Sequence, residues 1–97
     1  MRVIVEVDGY YEVLTEPYTE YEILLSNNCM VLLPLTSLAE NCKYTFISIA
    51  EDTPPLIQTS DGEMIVGLIH GVEDTSVTML LKNSSFSLIA NNSKYIM

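Results

Sequence analysis

Between Met30 and Phe46 the chain reads MVLLPLTSLAENCKYTF, and the proline inside it limits the possible folds more than any other residue. Proline has no backbone N–H and fixes φ, so Pro34 must end the apolar strand before it or lie on a sheet edge. After a short polar excursion the chain alternates strictly through Tyr44, Thr45, Phe46, Ile47, Ser48 and Ile49, the period of a strand with one buried face. Six tyrosines, two phenylalanines and many Val, Ile and Thr favour strands, and no long segment has helical spacing. Turn signals about every 8–12 residues point to a sandwich or small barrel. The expected fold is all-β: a small antiparallel β-sandwich or jelly-roll-like barrel with an N-terminal β-hairpin.

The hairpin is expected because Val3, Val5 and Val7 alternate with Arg2, Ile4 and Glu6, and Asp8-Gly9 follows at once. Both turn positions tolerate positive φ, so Arg2–Val7 should pair with Tyr10–Leu14. Glu16-Pro17 marks the exit. Tyr21–Leu25 reads as a strand, Ser26-Asn27-Asn28 as a turn and Cys29–Leu33 as the next strand. Thr36–Asn41 has room for one helical turn, with Thr36 or Ser37 as its cap. Ala50–Pro55, with two acids and two prolines, reads as a loop. Leu56–Thr59 and Glu63–Ile69 flank Asp61-Gly62, a second hairpin signal, and Gly67 and Gly71 read as bends. Ser76–Leu81 and Phe86–Ala90 should be strands joined through Lys82-Asn83-Ser84-Ser85, and Asn91-Asn92-Ser93 turns into Tyr95–Met97.

The order of these segments carries a resemblance. A strand ending in Leu33-Pro34, a polar corner and a returning Lys43-Tyr44-Thr45-Phe46 are followed by Leu56–Thr59, the turn Ser60–Gly62, Ile65-Val66-Gly67, the strand Ser76–Leu81 and the closing Lys94–Met97. This succession resembles the small β-structured domains of phage tail-fibre, head-fibre and capsid-decoration proteins, over residues 18–97. The resemblance implies a virion component, made in the host cytoplasm, that assembles as a homo-oligomer, with a trimer expected, and contacts other virion proteins. Residues 1–15 lie outside it and are expected to form an attachment or oligomerisation element of the same single domain.

Charge excludes some partners. A chain of 97 residues with formal net charge −9 has only Arg2, Lys43, Lys82 and Lys94 as basic residues, too few to replace counterions along phosphates, so nucleic acid is not an expected partner. The same charge disfavours anionic membrane surfaces. The longest apolar block, Met30–Leu33, stops at Pro34, far short of a membrane span. Met1-Arg2 leads into an alternating strand without the apolar core of a signal peptide.

Candidate chemistry is sparse. Cys29 and Cys42 flank the Pro34 corner; a disulfide is geometrically possible, but in a chain without a secretion signal two buried free thiols are expected. Two cysteines and one histidine do not make a structural zinc site. His70 would need a nucleophile and an orienting carboxylate, with Cys42 and an Asp as the arrangement to look for. Glu51-Asp52, Asp61, Glu63 and Glu73-Asp74 could gather around calcium or act as a glycosidase pair if their loops met, but solvated loop acids are the expectation. Asn83-Ser84-Ser85 and Asn91-Asn92-Ser93 match glycosylation sequons and are expected to serve turns. Neither a catalytic centre, a cofactor nor a metal is expected.

Tyr10, Tyr11, Tyr18 and Tyr21 form an aromatic, acidic N-terminal region suited to a protein or sugar contact, unless they fill a sheet face. The leading expectation is a non-enzymatic virion structural protein. The alternatives are a module binding a host surface glycan or receptor, and a small acidic inhibitor or adaptor seated on a basic surface.

Overall fold

The computed structural model describes residues 1–67, 72–79 and 83–97. The strands are β1 (Arg2–Val7), β2 (Tyr10–Glu12), β3 (Thr19–Leu25), β4 (Met30–Leu32), β5 (Cys42–Ser48), β6 (Leu56–Gln58), β7 (Met64–Gly67), β8 (Val72–Asp74), β9 (Ser76–Thr78), β10 (Ser85–Asn91) and β11 (Lys94–Ile96). The only helical element among the described residues is a 3₁₀ turn, Thr36–Leu38. The all-β expectation is met.

Two sheets share the strands. One runs β1-β3-β5-β10-β11-β7-β8 and the other β2-β4-β6-β9. From β1 to β7 the chain visits the two sheets alternately, and each strand from β3 to β6 lies parallel to the one two before it: β1 to β3, β3 to β5, β2 to β4 and β4 to β6. The N-terminal part is thus a short parallel coil. The rest is antiparallel wrapping: β10 on β5, β11 on β10, β8 on β7 and β9 on β6, with β11 parallel to β7.

Both sheets are mixed, which corrects the antiparallel reading. Neither expected hairpin forms. Asp8-Gly9 and Asp61-Gly62 do turn the chain sharply, with φ of +87° at Gly9, +55° at Asp61 and +70° at Gly62. Each turn, however, hands the chain from one sheet to the other instead of back along itself. The reason is burial. In β1, Val3, Val5 and Val7 stand in register with the inward Tyr21, Ile23 and Leu25 of β3, while Tyr11 of β2 stands beside Val31 of β4. Stacking like patterns in register buries each inward face against its own kind, a gain at ~25 cal/mol per Å² that outweighs the easier closure of a local hairpin.

Inward residues of both sheets form one core. β3 and β5 each bury every second residue, pairing Tyr21 with Tyr44, Ile23 with Phe46 and Leu25 with Ser48. Val31, Ile57, Leu88 and Tyr95 complete it, and Val7 and Val13 of the N-terminal segment belong to the same cluster. Three buried tyrosines hold the crossovers. Tyr44 Oη donates to Leu14 O at 2.9 Å, Tyr95 Oη donates to Pro34 O at 2.6 Å, and Tyr21 Oη accepts from Glu16 N at 2.9 Å. Their rings adjoin: Tyr21 stacks on Tyr44 at 5.5 Å, and Tyr44 lies tilted to Tyr95 at 6.4 Å.

The corner at Pro34 is as the sequence leads one to expect. β4 stops at Leu32, and Pro34 gives only its carbonyl, to Tyr95. The helical turn that follows is shorter than its six-residue allowance, and its N-cap is Leu35, not Thr36 or Ser37, a residue whose own side chain makes no cap bond. Glu63 takes the cap's place, accepting from Thr36 N at 2.8 Å and Thr36 Oγ1 at 2.6 Å, so the carboxylate staples this turn to the β6–β7 corner. Glu73-Asp74, read from sequence as loop acids, lie in β8. Asn83, Asn92 and Ser93 have positive φ, as their role in turns requires.

Candidate interaction surfaces

The N-terminal tyrosines are not brought together. Tyr21 is 2% exposed and spends its ring on the core, which removes it from any surface contact. Tyr11 turns inward on β2 and is half-buried; burial and then the neighbouring Tyr21 raise its phenol pKa. Tyr10 points outward from the same strand, with Oη donating to Glu12 Oε1 at 2.9 Å. Tyr18 is 78% exposed in a left-handed turn at φ +59°, where its carbonyl accepts from the N-terminal ammonium. Strand alternation separates Tyr10 from Tyr11, and it sets Tyr21 on the inward face of β3 with Ile23 and Leu25, away from the surface contact expected of it.

Both thiols are free and buried. Cys29 Sγ donates to Val7 O at 3.1 Å and Cys42 Sγ to Glu16 O at 3.2 Å, so each fastens a crossover. His70 lies outside the described residues, and with it the Cys42–His70 arrangement. The acidic loops do not converge: among the described residues, no three His, Cys, Asp or Glu side chains gather as metal ligands would. Glu63 is committed to Thr36, and Asp74 Oδ1 accepts from Thr75 N at 2.7 Å. Asp52 belongs to a loop held from outside. Asn27 Oδ1 accepts from the backbone N–H of Glu51, Asp52 and Thr53 at 2.7, 3.0 and 3.4 Å, and Asn28 N donates to Thr53 O. Replacing Asn27 by alanine leaves these donors to water and is expected to cost about 1 kcal/mol. Hydrogen exchange at the 51–53 amides should accelerate, while protection in β3 and β5 should not change; unchanged exchange at 51–53 would refute the clamp.

Three surfaces stand out among the described residues. The first is an open groove of about 520 Å³ at the C-terminal ends of β1 and β3, where the acids Glu6 and Asp8 face Leu24 and Ile49. Its chemistry suits a basic group with an apolar stem. The second is the outer face of the smaller sheet, where Tyr10, Met30 and Leu56 stand in register across three strands. The third is β1 itself, the end strand of its sheet. Sequence reading missed the groove and the edge because both follow from which strands pair, and pairing was assigned by the nearest turn. No protein family, curated protein or solved structure matches this chain.

Proposed function

We propose that this chain is a non-enzymatic structural component of a phage virion, a capsid-decoration or fibre domain that acts by assembling with copies of itself and with neighbouring virion proteins. The observation that carries the reading is the state of the first coil. β1 and β2 end their sheets, and the exposed apolar side chains Ile4 and Tyr10 stand on them, with Met30 and Ile89 on the faces beyond and Ile49 just past the end of β5. Surfaces of this kind gain by being covered, at ~25 cal/mol per Å² of apolar area. The succession of motifs through residues 18–97 supports the same reading, with the two sheets as layers of a small sandwich.

Light scattering on a sizing column at low and high salt tests it. The expected mass is a multiple of 10.9 kDa that does not fall with salt, with the trimer that the resemblance implies as one such value. A monomer under both conditions overturns the assembly reading. The acidic groove favours a second reading, an adaptor that seats a basic segment of another protein, whose complex would dissociate as salt screens Glu6 and Asp8.

A further inference from the structure

The open edge of β1 has a property that a merely uncovered strand lacks: it is complementary to itself. Glu20 N donates to Met1 O at 2.8 Å and Ser26 N to Val7 O at 3.4 Å. Backbone groups alternate sides along a strand, so Met1, Val3, Val5 and Val7 face β3. Arg2, Ile4 and Glu6 therefore present both N–H and C=O to the open edge. The side chains of these three residues lie on the outer face of the sheet and are exposed. Charge is polarised along the strand, with Arg2 at one end and Glu6 and Asp8 at the other.

We propose that two copies of this chain associate through antiparallel pairing of β1 with β1 about a two-fold axis at Ile4. This deepens the assembly reading by naming its contact, and it rests on that reading, with a two-fold dimer in place of the trimer that the resemblance implies. In this register Ile4 faces Ile4 of the second copy, and Arg2 faces Glu6 at both ends. All three are hydrogen-bonded pairs, in which each residue exchanges both backbone bonds. Parity is the constraint here: only an antiparallel register that matches even residues with even ones joins the free groups, and the one centred on Ile4 also brings opposite charges together. A parallel pairing would set Arg2 beside Arg2 and Glu6 beside Glu6. On the inner face Val3 meets Val5 of the second copy, and these half-buried valines already pack on the core, so the core continues across the axis.

Arg2 keeps its present partner. It forms an ion pair with Glu22 on the adjoining strand, and in the dimer it would bridge that carboxylate and Glu6 of the second copy. Glu6 lines the acidic groove, so the arriving guanidinium is the basic group with an apolar stem that the groove suits. Edge strands that stay single are commonly blunted by proline or by charges pointing inward. β1 has neither, and its central outward residue, Ile4, is 63% exposed.

Sedimentation velocity over a concentration series tests the contact. The wild-type chain is expected to form dimers. Ile4→Lys places two ammonium groups on the axis without touching the core and should raise the dissociation constant at least tenfold with the circular dichroism unchanged. Glu6→Arg should also be monomeric. Mixed with Arg2→Glu, it should form a heterodimer, because every facing pair then has opposite charge. If the wild type assembles but Ile4→Lys assembles equally well, this contact is refuted and the assembly reading stands. A wild-type monomer throughout refutes both. Should Arg2→Glu misfold through its proximity to Glu22, the Ile4→Lys and Glu6→Arg results decide alone.

Discussion

Replacing Tyr44 by alanine is expected to lower the unfolding free energy by about 3–5 kcal/mol, the usual cost of deleting a buried aromatic side chain. For a domain of this size, held by about 5–15 kcal/mol, that is a large fraction of the total. Tyr44 is fully buried, stacked on Tyr21 at 5.5 Å and adjoining Tyr95 at 6.4 Å. It lies in register between Tyr21 of β3 and Leu88 of β10, where the parallel coil meets the antiparallel wrapping. Removing the ring therefore opens a cavity at the junction of the two halves of the larger sheet. Tyr44→Phe keeps the ring and loses only the bond to Leu14 O, so about 1 kcal/mol is expected. The exposed Tyr10→Ala should change stability by no more than about 0.5 kcal/mol. Urea unfolding followed by circular dichroism measures all three; an alanine variant within about 1 kcal/mol of wild type would show that the ring column is not the core.

The contrast between Tyr44 and Tyr10 shows how far the sequence reaches. Local signals were legible. The alternation from Tyr44 to Ile49 forecast β5 and its buried face, Pro34 forecast the end of β4, and Asn83 and Asn92 forecast turns. Which strands would lie side by side was not legible. Asp8-Gly9 and Asp61-Gly62 have hairpin chemistry, and the positive φ values occur where that chemistry places them. Turn chemistry fixes where the chain bends, but the partner is chosen by burial over the whole domain. The register of Val3, Val5 and Val7 on Tyr21, Ile23 and Leu25 satisfies burial better than a hairpin that keeps β1 and β2 in one sheet.

The candidate surfaces follow the same division. That Tyr21 would be inward could be read from its strand, whereas the groove formed by Glu6, Asp8, Leu24 and Ile49 joins residues from three segments and has no local signature. The Glu63 staple on Thr36 spans 27 positions, and no capping pattern announces it. The β1 edge is intermediate. Its charge pattern, opposite in sign at the two ends of Arg2-Val3-Ile4-Val5-Glu6, is plain in the sequence, but it acquires meaning only once β1 is known to end its sheet.

The second large effect is alkaline unfolding. Burial, the first cause in each case, raises the phenol pKa of Tyr44 and Tyr95 well above the ordinary value of about 10; Cys42 adds to the shift at Tyr44, and Glu63 adds to it at Tyr95. Both hydroxyls donate to carbonyls, Leu14 O and Pro34 O, a role that only the neutral phenol can play. Because the folded-state values are raised, the unfolded chain releases these protons first as pH climbs. The stabilisation is present in full below about pH 10 and is lost above it, by at most about 1.4 kcal/mol per pH unit for each phenol. Two phenols give a slope approaching ~2.7 kcal/mol per unit, enough to unfold a marginal domain within a few units. The urea midpoint should therefore stay level to about pH 10 and then fall steeply. The double variant Tyr44→Phe/Tyr95→Phe, less stable at neutral pH, should show a distinctly shallower decline, because neither buried phenol is left to titrate. Equal slopes in the two proteins would mean that the buried phenols do not govern alkaline stability.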